Sequence, residues 1–467
     1  MRKRMSPTSQ FKTRQSSFMP SAIMMVFRFF LMAVVVMTVH CFPVQHHTGS
    51  TTLPMLPLDP SRRKSFVSSS TTPAGHRQMN LQLLSLREGN NQGPQYRNTY
   101  RSSGYFDDMS SNRYFNEENF NRQDQTPPVQ SRTVTLSTWI EMEILYSFPS
   151  SVGSDVVYNS LSFREPAGGY GGFSGGNQGQ KSPLVFIHGS FHAAWCWAEY
   201  YLPYFASMGY PAIALSLRGT SGSPTGKGVK KVSIDRHADD ISSLLDYITA
   251  PRDIGGMGLG SNEGFARPVL IGHSFGGLYV MKYLERDSAV NSRKLGGVAL
   301  LCSVPPSGNT AMTARTMKRS LKDSWDITSG LAMKQVTSDV NLCRRLFFGG
   351  SSGIDDMGIS NADIRRYQKL FKKDSVVSLD LVDLQRKLPS SRTNNQGMAI
   401  YAYDLPPCLV VGASDDRIVD VEGVIESATY LGVPNPVFVE SSHDVMLGRR
   451  WRNCADLLLQ WLDAAVY

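Results

Sequence analysis

The sequence lacks the residue patterns that hold structural metals, disulfide frameworks or phosphate groups. Its 467 residues include six cysteines, and no two of them form a C-x-x-C pair, which argues against a zinc site and a disulfide framework. An apolar run at 29–39 has eleven residues, whereas a membrane-spanning helix needs about 20. No phosphate-binding loop and no internal repeat are evident. We therefore expect neither a metal nor another cofactor.

Acidic residues are nearly missing from the first 78 residues. Residues 1–78 contain ten basic residues and one acid, Asp59, and the whole chain has a net charge of +9. The positive surplus therefore lies in this segment, and residues 79–467 are neutral overall. Excess basicity suggests a nucleic-acid partner when it is clustered on the folded domain. We expect no nucleic-acid partner here.

The same segment, 1–78, is predicted to be a signal and transit presequence. The run at 29–39 follows a basic flank and has the length of a signal-peptide core, and a basic, Ser/Thr-rich stretch comes after Phe42. A signal peptide, a Phe at the cut and a transit-like stretch together resemble the bipartite presequence of algae with complex plastids. The resemblance implies plastid localisation. Secretion into the endomembrane system and an uncleaved signal anchor are the alternatives.

Aliphatic residues are scarce between the presequence and the rest of the chain. Residues 88–131 contain twelve Asn or Gln and a single aliphatic residue, Val129. Such a stretch cannot offset its ordering entropy by burial, so 79–132 is predicted to be a disordered linker. Seven glycines within 167–180 predict a second flexible segment, an enlarged hairpin loop.

From residue 182 onward, short apolar runs alternate with stretches of helical character. Continuous apolar runs separated by helices are typical of a parallel sheet that is covered on both faces. The predicted fold class is therefore α/β, a mostly parallel sheet with helices on both faces, built from core parts at 133–303 and 406–467. The six runs lie at 183–188, 210–217, 268–272, 297–302, 408–412 and 436–440.

The stretch 304–405 separates the fourth and fifth runs and is predicted to be a helical cap. Helices are expected at 311–320, 341–348, 361–372 and 376–387. A cap over an active site excludes water and shapes the pocket. Its basic residues would suit association with an anionic membrane surface; a solvated helix face is the alternative.

A Gly-x-Ser-x-Gly motif follows the third run. The residues are Gly272, His273, Ser274, Phe275 and Gly276, between a predicted strand and a predicted helix, which is the context of a nucleophile elbow. The serine must occupy a tight turn, and side chains at the two outer glycines would collide with neighbouring backbone. We predict that Ser274 is a catalytic nucleophile.

A serine nucleophile needs a base and an acid that orients the base. Of the nine histidines, only His443 follows Ser274, so it is the single candidate for the chain order Ser, acid, His. Two acids follow the fifth run: Asp415 lies three residues after Gly412, and Asp416 forms an Asp-x-x-Val pattern with Val419. Both spacings are common for this role, and Asp416 is the preferred acid and Asp415 the alternative. The acid would hold the imidazole tautomer and stabilise the imidazolium.

An oxyanion hole is the remaining requirement. A loop that begins His188-Gly189 follows the first run, and in such enzymes an amide of this loop joins the amide after the nucleophile. The predicted donors are therefore the backbone amides of Ser190 and Phe275, each worth on the order of 3 kcal/mol of transition-state stabilisation. His188 is predicted to brace the loop.

Together these motifs resemble the alpha/beta-hydrolase superfamily. They occur in the order His-Gly at 188, Gly-His-Ser-Phe-Gly-Gly at 272, Gly-x-x-Asp-Asp at 412 and His-Asp at 443. The stretch 188–197, HGSFHAAWCW, is similar to a loop of the plant methylesterase and hydroxynitrile lyase group. The resemblance covers residues from about 133 to the C-terminus and implies the alpha/beta-hydrolase fold.

The predicted function is a serine hydrolase that cleaves a carboxylic ester, or a lipid acyl ester, through an acyl-enzyme. Its partner would be a small-molecule ester or lipid substrate. A hydroxynitrile-lyase-like or thioesterase activity on the same residues is one alternative. A receptor of the same fold that binds a ligand without turnover is the other.

Overall fold

The computed structural model of the protein describes residues 126–149, 180–349 and 359–466. The presequence predicted at 1–78, most of the linker predicted at 79–132 and nearly all of the Gly-rich loop predicted at 167–180 lie outside the described residues. Among the helices of the described residues, none has the length and apolar character that crossing a membrane requires.

Eight strands form one mixed sheet in the order β1-β2-β4-β3-β6-β7-β9-β10. The first two strands run antiparallel to their neighbours, and all the others are parallel. Two further short strands, β5 and β8, pair with each other. The bounds are β1 Gln130–Thr135, β2 Glu141–Ser147, β3 Leu184–Ile187, β4 Ala212–Leu215, β5 Lys231–Val232, β6 Val269–His273, β7 Gly297–Leu301, β8 Ser378–Leu379, β9 Cys408–Asp415 and β10 Val437–Ser442.

The centre of the sheet is apolar on both faces. Every residue of β3, β4, β6 and β7 is buried, as expected for parallel strands between two helical layers. At the edge, most residues of β1 are exposed or half-buried, and only Val134 is buried. The predicted fold class is confirmed.

Twelve α-helices are present in the described residues. The helix that follows β6 directly is α4, which positions the elbow, and α12 follows the loop after β10. The bounds are α1 Trp195–Ala198, α2 Tyr201–Ser207, α3 Ile234–Thr249, α4 Phe275–Arg286, α5 Ser288–Lys294, α6 Asn309–Arg319, α7 Leu321–Ile327, α8 Val340–Cys343, α9 Asn361–Asp374, α10 Leu381–Arg386, α11 Val421–Tyr430 and α12 Trp451–Trp461.

The chain order of the central strands places the site. The chain leaves β3 for β4 on one side and later returns to β6 on the other side of β3. Loops that leave the carboxyl ends of parallel strands at such a switch point diverge and open a crevice. The loop after β3 and the turn after β6 therefore meet at one edge, and the loops after β9 and β10 lie farther along it.

The predicted cap is helical with one exception. Helices α6 to α10 lie between β7 and β9, and Arg344–Phe348 forms a π-helical turn after α8. The helix predicted at 376–387 is wrong in its first half, because Ser378–Leu379 is the strand β8 and α10 begins only at Leu381. The side chain of Asp380 accepts hydrogen bonds from the amides of Val382 and Asp383, which fixes the start of α10 there.

One further prediction needs correction. The linker predicted at 79–132 ends too late, since β1 begins at Gln130 and pairs with β2 along its whole length. The hairpin predicted around the Gly-rich loop falls on residues outside the described ones. The described strands before and after that segment, β2 and β3, are separated in the sheet by β4. The fully apolar β3 takes the buried centre, whereas β2, which is partly exposed, lies next to the edge.

Candidate active site

Ser274 occupies the strained turn between β6 and α4. Its backbone has φ 53° and ψ −124°, a conformation that costs a non-glycine residue on the order of 1–3 kcal/mol. Three hydrogen bonds hold it: the Ser274 amide donates to the Leu301 carbonyl at 3.1 Å, and the Ser274 carbonyl accepts from the amides of Gly277 and Val304, each at 3.1 Å. The strain is therefore maintained by the strand next to β6 and the loop that follows it.

The two glycines that flank this turn are needed for space. A Cβ on Gly272 would lie 2.7 Å from the Cα of Gly277, and one on Gly276 would lie 2.4 Å from the Ile187 carbonyl oxygen. Both contacts are with backbone, which cannot move aside cheaply. The predicted collision at both positions is confirmed, and it explains how α4 starts so close to β3.

His443 and Asp416 form a buried hydrogen-bonded pair. The Nδ1 of His443 lies 2.8 Å from Asp416 Oδ2, and both side chains are almost fully buried. The other carboxylate oxygen, Oδ1, accepts from the amides of Ile418 and Val419 at 2.8 and 2.9 Å. Asp415, the alternative acid, is 29% exposed and lies 3.9 Å from the Arg417 guanidinium. Of the two candidates, the structure places Asp416 against His443.

The environment of His443 favours its protonated form. Burial by itself lowers the pKa of His443, but the charge and hydrogen bond of Asp416, together with the charge of Asp444, outweigh burial and raise it above its ordinary value. A carboxylate can only accept, so the proton on Nδ1 points to Asp416. In the neutral ring, Nε2 is therefore the free acceptor.

Ser274 and His443 lie on adjoining loops. The Nε2 of His273, the residue before Ser274, donates to the His443 carbonyl at 2.9 Å, and the two imidazole rings are 4.9 Å apart. Among the described residues, no hydrogen bond joins the Ser274 hydroxyl to the His443 ring; such bonds are often long before substrate binds. The structure thus brings the serine and the buried pair to the same edge of the sheet.

The loop after β3 lies directly against Ser274. A Cβ on Gly189 would be 2.7 Å from Ser274 Cβ and 3.2 Å from its Oγ. The Nδ1 of His188 donates to the Gly189 carbonyl at 2.7 Å, and its Nε2 accepts from the Leu217 amide at 3.0 Å. The predicted bracing role of His188 is confirmed, and the brace fixes the peptide whose amide belongs to Ser190.

His188 stays neutral in this position, because burial lowers its pKa to about 3. The amide of Phe275 is the first of α4, where helix amides have no partner within the helix. Among the described residues, neither the Ser190 amide nor the Phe275 amide donates a hydrogen bond to another protein group. Both are therefore free to bind an anion.

A family model described as "Alpha/beta hydrolase family" matches residues 184–457, which is more than half of the chain. The chain belongs to the alpha/beta hydrolase family. The matched segment contains β3, the elbow, the cap and the His443 loop of this alpha/beta hydrolase.

Similar proteins include two from Arabidopsis thaliana. The chain is 29% identical to Methylesterase 1 over 108 residues, which are 23% of this chain and 35% of that protein. It is 30% identical to Methylesterase 2 over an equally long match with the same coverage. The matches thus span about a third of the length of these relatives. A thermophilic esterase from Thermogutta terrifontis aligns in structure with a TM-score of 0.45 and 15% identity, covering 72% of this chain and 100% of that one.

The cap of this alpha/beta hydrolase reaches the site through Phe347. This residue belongs to the π-helical turn Arg344–Phe348, and its ring lies 6.1 Å from the His443 ring and 6.2 Å from the Phe191 ring. Its carbonyl accepts a hydrogen bond from the Asp444 amide at 2.9 Å. The cap is therefore tied by its backbone to the residue next to His443 and forms an apolar wall over the site.

The sequence patterns predict no role for three buried polar residues beside the site: His192, His273 and Asp444. The signals available were the His-x-x-x-His spacing at 188–192 and the His-Asp doublet at 443–444. The ligand atoms of His273, His443 and Asp444 lie within 4.8 Å of one another, close enough for a metal. Each of the three already has a protein hydrogen-bond partner. The expectation that no metal is required stays a prediction.

The cysteines of the described residues are unpaired thiols: Cys196, Cys302, Cys343, Cys408 and Cys454. Burial raises the pKa of the Cys302 thiol well above the ordinary value, and the charge of Asp416 adds to the effect. The Cys302 thiol therefore stays protonated beside this carboxylate.

Proposed function

We propose that this protein is a serine hydrolase that cleaves a carboxylic ester, or a lipid acyl ester, through an acyl-enzyme. One observation carries the proposal: a serine in a strained elbow adjoins a buried histidine whose Nδ1 lies 2.8 Å from the carboxylate of Asp416. Membership of the alpha/beta hydrolase family and the similarity to the two methylesterases support it.

In the acylation step, Ser274 Oγ attacks the ester carbonyl carbon while His443 Nε2 takes the hydroxyl proton. The carbonyl oxygen becomes an oxyanion that accepts hydrogen bonds from the amides of Ser190 and Phe275. The bond to the leaving alcohol then breaks, and that alcohol takes the proton from His443. Water, deprotonated by His443, attacks the acyl-enzyme, and the proton returns to Ser274 as the acid leaves.

Asp416 acts by orientation and charge. Its Oδ1 is fixed by two amides and its Oδ2 by His443, so the ring cannot rotate without losing a hydrogen bond. The carboxylate stabilises the imidazolium that forms when Ser274 loses its proton. The water-excluding wall of Phe347 strengthens these electrostatic interactions.

The proposal is tested by turnover of p-nitrophenyl esters of graded acyl length. We expect multiple turnovers by the wild type and none by Ser274→Ala. Ser427→Ala is a matched control, because Ser427 is a buried serine in α11 that bonds the Gly423 carbonyl, and it should retain activity. At most one turnover by the wild type would favour the ligand receptor. Turnover of thioesters or cyanohydrins alone would favour the thioesterase or the lyase.

We also propose that residues 1–78 deliver the protein to a plastid and that the basic residues of the cap associate with a membrane surface. The presequence composition supports the first proposal. For the second, Arg366 is paired with Glu199 and Arg345 with Asp326. The exposed basic charge of α9 is therefore mainly that of four side chains: Arg365, Lys369, Lys372 and Lys373.

A further inference from the structure

A second buried histidine–carboxylate pair lies behind the candidate active site. His192 Nε2 is 3.1 Å from Asp444 Oδ2, and the two side chains are 1% and 0% exposed. Asp444 directly follows His443, while His192 lies two residues after Ser190. The pair therefore joins the loop after β3 to the loop after β10, although its members are 252 residues apart in the chain.

The hydrogen bonds of His192 determine how many protons the pair holds. Its Nδ1 lies 2.8 Å from the Ser190 carbonyl oxygen, which can only accept, so Nδ1 carries a proton. Its Nε2 faces a carboxylate oxygen, so one further proton lies between Nε2 and Oδ2. The pair is therefore an imidazolium and a carboxylate with no net charge, and its negative end lies towards His443, since the ligand atoms of Asp444 and His443 are within 4.8 Å of each other.

Each member of the pair is also held by other contacts. The Asp444 amide donates to the Phe347 carbonyl, and Asp444 Oδ1 lies 3.9 Å from His273 Nε2. The His192 ring lies 4.9 Å from the Phe371 ring and 5.7 Å from the Phe347 ring. The loops after β3 and β10, the end of β6 and the cap thus converge on this pair.

A contribution to folding stability is a weak explanation for burying such a pair. Two ionisable side chains lose their hydration when they are buried, and well-packed apolar residues of similar volume are often as stabilising or more so. A fixed distance between an oxyanion donor and a general base is a stronger reason, because catalytic groups act efficiently only within about 0.5 Å of the productive geometry.

We propose that His192 and Asp444 are positioning residues for acyl transfer. They hold the Ser190 loop and the His443 loop at a fixed distance from each other. The inference rests on the proposed function. His192 fixes the Ser190 carbonyl, Asp444 fixes the backbone next to His443, and the shared proton links the two. Neither residue touches the reacting atoms, so both act through their neighbours.

The test uses steady-state kinetics of the full chain with p-nitrophenyl butyrate, together with chemical unfolding. His192→Phe preserves a ring among Trp195, Phe347 and Phe371 but removes both hydrogen bonds. We expect kcat to fall at least tenfold with KM changed less than threefold. Asp240→Asn is the control, since Asp240 is equally buried in an ion pair, and among the described residues its side chain bonds Arg218 and neither His192 nor Asp444; it should lower stability without changing kcat.

Asp444→Asn is the second variant. Asp and Asn side chains have nearly the same size, so this change disturbs the fold less than His192→Phe does. Its amide can still donate to His192 Nε2 but brings no negative charge towards His443, whose other close titratable neighbours are Asp416 and His273. We expect a smaller loss of kcat than in His192→Phe, and an acid limb of the pH–rate profile that moves to lower pH. A merely structural residue would not move this limb.

The outcomes separate the two proposals. If Ser274→Ala is inactive while His192→Phe keeps wild-type kcat, or Asp444→Asn leaves the acid limb in place, the positioning role is overturned and the proposed function stands. If Ser274→Ala turns over ester as fast as the wild type, the proposed function is overturned, and the positioning role with it.

Discussion

Asp415 and Asp416 are neighbours with identical side chains, yet they lie in different environments. Asp416 is nearly fully buried and binds two amides and His443, whereas Asp415, the last residue of β9, lies beside Arg417. The difference comes from the turn after β9, which points one carboxylate inward. Spacing along the chain could not separate the two, because the spacing of Asp415 from Gly412 and that of Asp416 from Val419 are both common.

We predict that Asp416→Asn is the severe substitution of this pair. The Asn amide can donate to Nδ1 and so favours the tautomer that carries its proton on Nε2, where the base cannot accept a proton. It also has no charge to stabilise the imidazolium, so kcat should fall by on the order of 10⁴-fold. Asp415→Asn should keep kcat within about threefold, since the Asp415 carboxylate lies beside Arg417 and not against His443. Steady-state kinetics of the two variants side by side check this; a reversed order would assign the acid to Asp415.

The raised pKa of His443 predicts the pH dependence of catalysis. Nε2 must be unprotonated to accept the Ser274 proton, so kcat/KM falls as the pH drops through this pKa. Burial opposes the shift, but the two nearby carboxylates of Asp416 and Asp444 raise the pKa above 6.5. The acid limb should therefore have its midpoint above that value. A profile of kcat/KM between about pH 5 and 9 measures it, and a midpoint below 6.5 would contradict the assignment.

The residues of the predicted site differ in how far the sequence could specify them. Ser274 is specified by its motif, and His443 by being the only histidine after it. His192 and Asp444 are 252 residues apart, and no local pattern indicates that they touch. Their contact depends on how the cap and three loops pack, which is a property of the folded chain.

Among the elements, the apolar strands of the core follow their sequence closely, and the cap follows it less well. Central strands such as β6 and β7 are buried on both faces, so their continuous apolar runs are distinctive. In the cap, Val376 and Val377 precede β8, and their branched side chains favour an extended chain. The residues that follow them pair with the distant β5, and helical periodicity contains no information about that partner.

Helix α9 is fastened to the core by its last residue, Asp374. This buried carboxylate accepts from the Trp195 ring at 2.9 Å and from the Ser221 amide at 2.6 Å. We predict that Asp374→Ala lowers the free energy of unfolding by about 1–3 kcal/mol, because two partly buried donors lose their acceptor. Lys372→Ala, exposed on the same helix, should change it by less than about 0.5 kcal/mol.

Chemical unfolding of both variants measures these differences. Equal stability of Asp374→Ala and the wild type would show that the cap is not fastened at this point. An unfolding midpoint that falls for both variants alike would point to a general sensitivity of α9 rather than to the Asp374 contacts.

For the whole molecule, we interpret the net charge of +9 as a property of the predicted presequence rather than as a sign of a nucleic-acid partner. All of the surplus lies in residues 1–78, and the rest of the chain is neutral. The part that contains the candidate site therefore has no excess charge to attract nucleic acid. The composition of the sequence predicts this division, but it does not indicate the compartment to which residues 1–78 would direct the protein.

We predict that residues 1–78 fused to a fluorescent protein direct it into the plastid of an alga with complex plastids. Substituting Phe42 by Ala should divert the reporter to the endomembrane system, because the residue at the cut distinguishes the two routes in the resemblance described above. Fluorescence microscopy checks both variants. A reporter that remains anchored at a membrane with its signal uncleaved would support the signal-anchor alternative instead.

Covalent labelling of Ser274 tests the central claim most directly. The full chain is treated with a fluorophosphonate, digested and mapped by mass spectrometry, with Ser274→Ala and Ser427→Ala treated in parallel. We predict a single adduct on the peptide that contains Ser274 in the wild type and in Ser427→Ala, and no adduct in Ser274→Ala. An adduct on another residue, or undiminished labelling of Ser274→Ala, would contradict the account.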